Sequence, residues 1–438
     1  MMDTINIICR LNQDDNYSIA EKFISVNLSK KNKFHYTFWE DKQILKLPYF
    51  FSDEAIDLFY ISLFVYYADR VIPREWFPDA WTRNFKLYLP VLSIDQWKDQ
   101  KNALERMLSF LSGDKWTVYF RKRVLNHIET IKKDKIHENG KTDKLFIEKM
   151  PNSICMLSGG LDSFIGAIDM LQALPDTLFV GHSGGGKGVY QFQEKVKTLL
   201  ISRYNLTNDQ FFSFNAAPLR GKELTTRTRS FMFFAQAIII SSALKKEINL
   251  YIPENGLISL NIPLTASRLG SSSTRTTHPY YMKQLQNLLN TLNIKVRFQN
   301  PYQFKTKGEM IAECKDFNFL KNNIKNTMSC SHSDNGRWDG DSKPSHCGNC
   351  LPCVIRRAAI LEANLKDDTF YRDSNFSKNE TAVNNLKVYK IGMVNFKKRN
   401  VHTFLQIQAA GPIDDNHQKY IKVYERGMKE LNSFLDIL

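Results

Sequence analysis

The stretch Cys155-Met156-Leu157-Ser158-Gly159-Gly160-Leu161-Asp162-Ser163 constrains this chain more than any other. A short apolar run, Ile154 to Leu157, leads into it and a helical run, Phe164 to Leu174, follows, so it reads as strand, loop and helix start. Two adjacent glycines let the backbone approach an anion, the N–H groups of the first helical turn point at it, and the helix dipole adds favourable charge. Ser158 and Ser163 add hydroxyl donors, and Asp162 can hold a magnesium ion or a backbone amide. A plain Gly-Gly turn capped by Asp and Ser is the other reading of the same six residues. The flanking strand and helix favour phosphate.

Around this loop the chain alternates. Strands are expected near Ile154–Leu157, Leu178–Val180, Phe211–Asn215, Leu250–Pro253 and Val296–Gln299, with helices near 161–174, 188–203, 224–247 and 279–292. That rhythm predicts a parallel sheet covered on both faces, with ligands at the carboxyl ends of its strands. Gly181-His182-Ser183-Gly184-Gly185-Gly186-Lys187-Gly188 nearly spells a Walker loop, but Gly188 stands where magnesium coordination needs Ser or Thr. It reads instead as the turn after the second strand, so Gly181 and His182 are candidate nucleotide contacts. Three more polar stretches fall at strand ends. They are Arg227-Thr228-Arg229-Ser230 at a helix start, Pro253-Glu254-Asn255-Gly256 with the segment Arg268, Arg275 and His278, and Lys305-Thr306-Lys307-Gly308-Glu309. Arg229 and Lys307 are thereby candidates for steadying developing phosphate charge.

Four of the seven cysteines sit at Cys330, Cys347, Cys350 and Cys353. A CxxCxxC run closed by an upstream thiolate suits a tetrahedral structural zinc. His332 and His346 are lower-ranked ligands, and an iron–sulfur cluster is the competing reading. An odd cysteine total with one tight cluster argues for metal in a reducing cytoplasm rather than a disulfide framework. The longest apolar run, Phe231 to Leu244, is too short to span a bilayer, and no signal peptide is evident, so no membrane role is expected.

Residues 1–145 form a first unit, expected to be an α+β accessory domain, with Ser52-Asp53-Glu54 capping an apolar helix through Tyr67. The polar run Lys132 to Lys149 reads as a linker to a unit at 150–365, and 366–438 is a C-terminal extension ending in a helix. The net charge is +15, yet residues 1–150 hold 24 basic against 21 acidic residues, so most of the excess lies downstream with the loop. A triphosphate site accounts for part of it. Nucleic acid or an acidic protein accounts equally well for the rest.

Ser-Gly-Gly-x-Asp-Ser resembles the PP-loop of the ATP pyrophosphatases, and its pairing with a late Cys…CxxCxxC followed by Arg356-Arg357 resembles QueC, the 7-cyano-7-deazaguanine synthase family, over roughly Asn152 to Ala363. The resemblance implies an adenine nucleotide alpha hydrolase-like α/β fold. It also implies ATP and Mg²⁺ as cofactors, a structural Zn²⁺ on the four cysteines, and adenylation of a 7-carboxy-7-deazaguanine-type carboxylate with transfer to a nitrogen nucleophile. Ser158, Gly159, Gly160, Asp162 and Ser163 carry over as pyrophosphate-binding residues. The first 145 residues and the tail exceed a stand-alone synthase and are similar to the extended QueC-like subunits of bacterial anti-phage operons. Asp69-Arg70, Trp81-Thr82-Arg83 and Asn255 to Pro279 look most like the QatC subunit of Qat systems. On this reading the acceptor amine belongs to a partner protein of the operon. A tRNA-modifying PP-loop enzyme and a non-catalytic nucleotide-binding subunit are the alternatives.

Overall fold

A computed structural model describes residues 3–30, 32–138, 150–184, 187–223, 227–262, 275–398 and 402–438. The first unit contributes strands β1 (Ile5–Arg10), β2 (Phe23–Asn27), β3 (Phe34–Tyr36), β4 (Asn84–Val91) and β5 (Lys115–Lys122). Its helices are α1 (Asp53–Val71), α2 (Ile94–Asp99), α3 (Lys101–Ser112) and α4 (His127–Glu138). Four of these strands form a sheet in the order β2-β1-β4-β5, parallel throughout, with Ile7 opposite both Ile24 and Leu87. The expectation of an α+β unit is corrected accordingly: its strands are joined by crossovers, the pattern of an α/β layer. The expected linker is shorter than its charge suggests, because α4 continues to Glu138; its remainder, 139–149, lies outside the described residues.

The second sheet takes β6 (Ser153–Met156), β7 (Leu178–Ser183), β8 (Phe211–Pro218), β9 (Ile248–Tyr251) and β10 (Val296–Gln299) in the order β10-β9-β6-β7-β8-β3. The first five are mutually parallel. β3 crosses from the first unit and pairs antiparallel with β8, Phe34 opposite Pro218. Period-two alternation divides the side chains. Ile154, Met156, Leu178, Val180, Phe212 and Leu250 enter one core, while Cys155, Leu157, Phe179 and Phe211 enter the other.

The helices of this region are α5 (Leu161–Ala173), α6 (Lys187–Tyr204), α7 (Arg229–Ser242), α8 (Gly256–Leu260), α9 (Pro279–Thr291), α10 (Lys307–Ala312), α11 (Phe317–Asn323) and α12 (Leu351–Glu362). The first core extends without a break from the second sheet through α7 and α1 to Ile7, Leu87 and Val118 of the first. Helix α1, capped by Ser52 Oγ accepting from Ala55 N at 3.3 Å, is buried at every position from Ala55 to Asp69. A helix apolar on all sides belongs between two layers, and α1 packs against β4, β8 and α7. A third core gathers α12 with the C-terminal helices α13 (Glu380–Lys398), α14 (Thr403–Ala410) and α15 (His417–Asp436).

One buried polar cluster fastens the first unit to the second. Arg83, fully buried, donates Nη2 to Asp69 Oδ1 at 2.5 Å and to Asp114 Oδ2 at 2.7 Å, and Nη1 to the carbonyls of Asp69 and Ile72. Its Nε donates to Asp114 Oδ1 at 3.1 Å, and Arg74 adds a bond to the same oxygen at 2.9 Å. The second oxygen of Asp69 accepts from both N and Oγ1 of Thr228 at 3.0 Å, closing the start of α7. Both carboxylates and every nitrogen of the Arg83 guanidinium are thereby used.

Candidate active site

The loop after β6 is built as its residues require. Gly159 has φ +79°, and a Cβ there would lie 2.9 Å from Gln193 N, so both its conformation and its close packing call for glycine. Ser163 Oγ donates to Gly160 O at 3.0 Å and accepts from Ser158 N at 3.2 Å and Ser158 Oγ at 3.1 Å, folding the loop onto the first turn of α5. The helical ladder begins at Phe164 N, which donates to Gly160 O, so the N–H groups of Leu161, Asp162 and Ser163 precede it. Ser158 is exposed beside them. This is an anion cradle at the carboxyl end of a central parallel strand. From below, Gln193 Nε2 donates to Leu157 O and His182 O, and Met328 N donates to Gly159 O at 2.8 Å.

Asp162 is held in a buried cluster. Its Oδ2 accepts from Asn255 Nδ2 at 2.7 Å, and its Oδ1 lies 2.9 Å from Lys307 Nζ. Asn255, the N-cap of α8, and Lys307, in the first turn of α10, come from the segments after β9, which lies beside β6, and β10, the next strand out. Glu254 shares the cluster. Burial pushes the Asp162 carboxyl up, but Lys307 and the hydrogen bonds from Glu254 and Asn255 outweigh it and hold the group below the usual carboxylate range. Glu254 is driven well above that range, by burial and then by the Asp162 charge, so it is the protonated partner that donates to Asp162. Asp162 and Lys307 balance while Glu254 keeps its proton; a divalent cation taking that proton's place would find two carboxylates to bind.

Lys307 is itself held by the C-terminal helix. Thr306 caps α10 with a reciprocal box to Glu309, the Thr306 hydroxyl donates to Glu430 of α15, and Gly308 N donates to the same carboxylate at 3.3 Å. Arg426 adds a bond to Glu309 at 2.5 Å.

The remaining candidates lie elsewhere. β7 runs through Ser183, so Gly181 and His182 belong to the strand rather than to a turn, a correction of the boundary expected from sequence. A Cβ on Gly181 would lie 3.1 Å from Leu157 O, and its absence lets β7 lie close to the loop. His182 is buried with Nε2 3.1 Å from Ala216 O, and burial together with Arg229 lowers its pKa to about 3. Arg229 starts α7 next to Gly184 and His182, near the carboxyl ends of β7 and β8, and has no hydrogen bond or ion pair to a described residue. Gly188 packs against Pro344 and Ser333; Gly185 and Gly186 lie outside the described residues. Arg227 and Thr228 bind Ser112 O and Asp69, and Arg275 donates to Phe110 O at 2.6 Å while His278 caps α9. Those stretches serve the junction with the first unit, so the active-site reading of Arg227, Arg275 and His278 is corrected. Arg268 lies outside the described residues.

The cysteine cluster is compact. The sulfurs of Cys330, Cys347, Cys350 and Cys353 all lie within 4.8 Å of one another, with Cys330–Cys350 and Cys347–Cys353 at 3.9 Å. Tetrahedral zinc with bonds of about 2.3 Å requires about 3.8 Å between sulfurs, so a single zinc ion fits and several irons do not. Backbone N–H groups of His332 and Cys347 donate to Cys330 Sγ, and that of Cys350 to Cys347 Sγ, favouring thiolates. His346 is excluded as a ligand because its Nε2 accepts from Ser329 N at 3.2 Å. Arg356, fully buried, donates to Thr327 Oγ1 and Ile324 O, fixing the segment that leads from the loop-contacting Met328 to Cys330.

Residues 272–364 match the family model described as Queuosine biosynthesis protein QueC. The match covers Lys307 and the four cysteines, and does not reach the Ser158–Ser163 loop. No curated protein sequence matches the chain. Among the described residues no helix is long and apolar enough to cross a membrane.

Proposed function

We propose that this chain is a QueC-like ATP-dependent enzyme, which adenylates a 7-carboxy-7-deazaguanine-type carboxylate, releases pyrophosphate, and passes the acyl group to an amine on a partner protein in anti-phage defence. The observation that carries the reading is the convergence of three neighbouring strand ends. The Ser158–Ser163 cradle, the Asp162–Asn255 pair and Lys307 meet there, in a chain whose later part matches the QueC model and carries a zinc-compatible cluster of four cysteines.

In this mechanism the first-turn N–H groups of α5 and the Ser158 hydroxyl bind the departing pyrophosphate, where negative charge grows as the α–β phosphate bond breaks. Asp162 and Glu254 are the two carboxyls that would hold Mg²⁺, which supplies charge neutralisation when bound. Lys307, oriented by Asp162 and the α15 contacts, contributes a positive charge at the same strand ends. Cys330, Cys347, Cys350 and Cys353 would hold a zinc ion with no position left for substrate, a structural role, and their site fixes the Met328 segment against Gly159. The test is nucleotide turnover by the purified chain. AMP and pyrophosphate should form only when 7-carboxy-7-deazaguanine is supplied, and co-expressed partners should carry an amide-linked adduct. Unmodified partners together with 7-cyano-7-deazaguanine made from ammonia would reduce the reading to the plain synthase.

A further inference from the structure

The chain runs on past the QueC match, which ends at residue 364, into α13, α14 and α15. Helix α13 is pinned along one side. Ala382, Tyr389 and Met393 are buried in the third core, and the Phe396 ring meets that of Tyr424 edge-on with centroids 5.9 Å apart. The Tyr389 hydroxyl donates to Asn349 O, inside the cysteine run, at 3.2 Å. A helix anchored this way cannot turn about its axis, so its other side is a fixed surface.

That other side mixes apolar groups with cations. Val383, Lys387, Lys390, Ile391, Val394 and Lys398 fall within an arc of about 100° at 3.6 residues per turn, and all six are exposed. Ile391 is 56 % exposed and Val394 47 %, on a helix whose inner side has a core to enter. A single exposed valine needs no explanation, but three β-branched side chains on one arc, about 22 Å long, form a contact face.

Charge says what covers it. Residues 381–413 hold five Lys or Arg and no Asp or Glu, whereas the whole chain sets 45 acidic residues against 60 basic ones. Among the described residues Lys387, Lys390 and Lys398 have no ion pair, and Lys397 reaches Asp436 only at 3.9 Å with both side chains more than half exposed. Glu380, in the first turn, is the one acid before the face begins. Lys387 and Lys398 project between Val394 and Ile391, so a bilayer that took up the apolar groups would take up ammonium groups with them. Phosphates would satisfy the lysines yet leave the valines and isoleucine uncovered, and the arc offers no aromatic ring on which a base could stack. An acidic amphipathic helix meets both needs. Its apolar residues, three or four apart, lie on Val383, Ile391 and Val394, and the carboxylates between them reach the lysines.

We propose that the outer face of α13 is a docking surface for an acidic amphipathic helix of a partner protein. The branched side chains supply the buried contact, and Lys387, Lys390 and Lys398 set its orientation and reject basic partners. This inference stands whether or not the adenylation reading does.

The probes are three peptides of about 20 residues, matched to the length of α13. One carries leucines three and four apart flanked by glutamates, the second has those glutamates changed to lysine, and the third has the leucines changed to glutamine. Fluorescence anisotropy with the full chain should show the acidic leucine peptide binding about tenfold more tightly than either of the others at low salt, its lead over the lysine peptide shrinking at about 1 M salt. Ile391→Gln with Val394→Gln, and separately Lys387→Glu with Lys390→Glu, should each weaken that binding about tenfold while thermal unfolding stays unchanged, since all four residues are exposed. No binding of the acidic leucine peptide, equal binding of the glutamine peptide, or binding untouched by either variant would overturn the proposal. So would a phosphatidylglycerol vesicle or a single-stranded oligonucleotide that binds in the peptide's stead and is lost in the same variants.

Discussion

Two buried clusters in this molecule set carboxylates against cations, and they differ in how the charges balance. Around Arg83, two carboxylates face Arg83 and Arg74, with Arg227 beside them, and both oxygens of Asp69 and of Asp114 are satisfied. Around Lys307, two carboxyls face one lysine, and Glu254 stays protonated in consequence. Carboxylates whose oxygens are all taken have none left to offer a metal, and this cluster acts as a fastener between layers. One with a protonated carboxyl, held at the ends of strands beside an anion cradle, can exchange its proton for a metal or answer a phosphate. Burial and ion pairing alone would have ranked the two alike.

Substitutions should separate them. The largest effect is expected from Asp162→Asn, which should lower AMP formation about 10³-fold or more, with little change in thermal stability. Removing the Asp162 charge frees Glu254 to ionise and neutralise Lys307, so no buried cation is stranded. A melting temperature that collapses with activity would make this cluster a second fastener. Arg83→Met should do the opposite, costing about 3–5 kcal/mol in denaturant unfolding because it strands two buried carboxylates, with turnover per folded molecule unchanged. Lys307→Ala should reduce kcat by about 10²-fold and nucleotide affinity far less, since the lysine acts on charge that grows during the reaction.

The smallest effect concerns pH. Burial raises the Glu430 carboxyl to about 7, against 4.5 when unfolded, so its contribution is complete below about 4.5 and is lost as pH rises through about 7. Glu430→Gln should therefore gain about 1–3 kcal/mol relative to the parent between pH 5 and pH 8, measured by unfolding at each pH. An unchanged difference would mean that α15 does not hold the lysine segment through this group.

Local features were readable from sequence because their causes are local. The strand, loop and helix start at Ser158–Ser163 declares itself through Gly159, Gly160 and the apolar runs on either side, and the zinc-compatible site through cysteine spacing. β5 escaped notice because Lys115, Tyr119 and Lys122 are exposed along an edge strand, which dilutes its apolar alternation. α4 read as linker because Glu129 and Ile136 are its only buried residues. Asn255 carried a helix-cap signal after a strand, but nothing local ties it to Asp162. Gln193 and Glu430 gave no signal, since each acts on a segment far along the chain. Arg227, Arg275 and His278 misled because a polar run at a strand end looks the same whether it faces a ligand or a neighbouring layer.

β3 gives this architecture a schedule. Phe34–Tyr36 leaves the ribosome early, yet its partner, Ala216–Pro218, is made about 180 residues later, and Thr37 and Asn215 seal the pair with reciprocal bonds at 3.0 and 2.9 Å. Until then the strand must wait unpaired, and β8 is born with a bare flank. A fragment started near residue 150 would never close that flank, and it would leave the outer face of α7 without α1. Such a piece should aggregate during synthesis, whereas supplying residues 1–145 as a separate chain should rescue it.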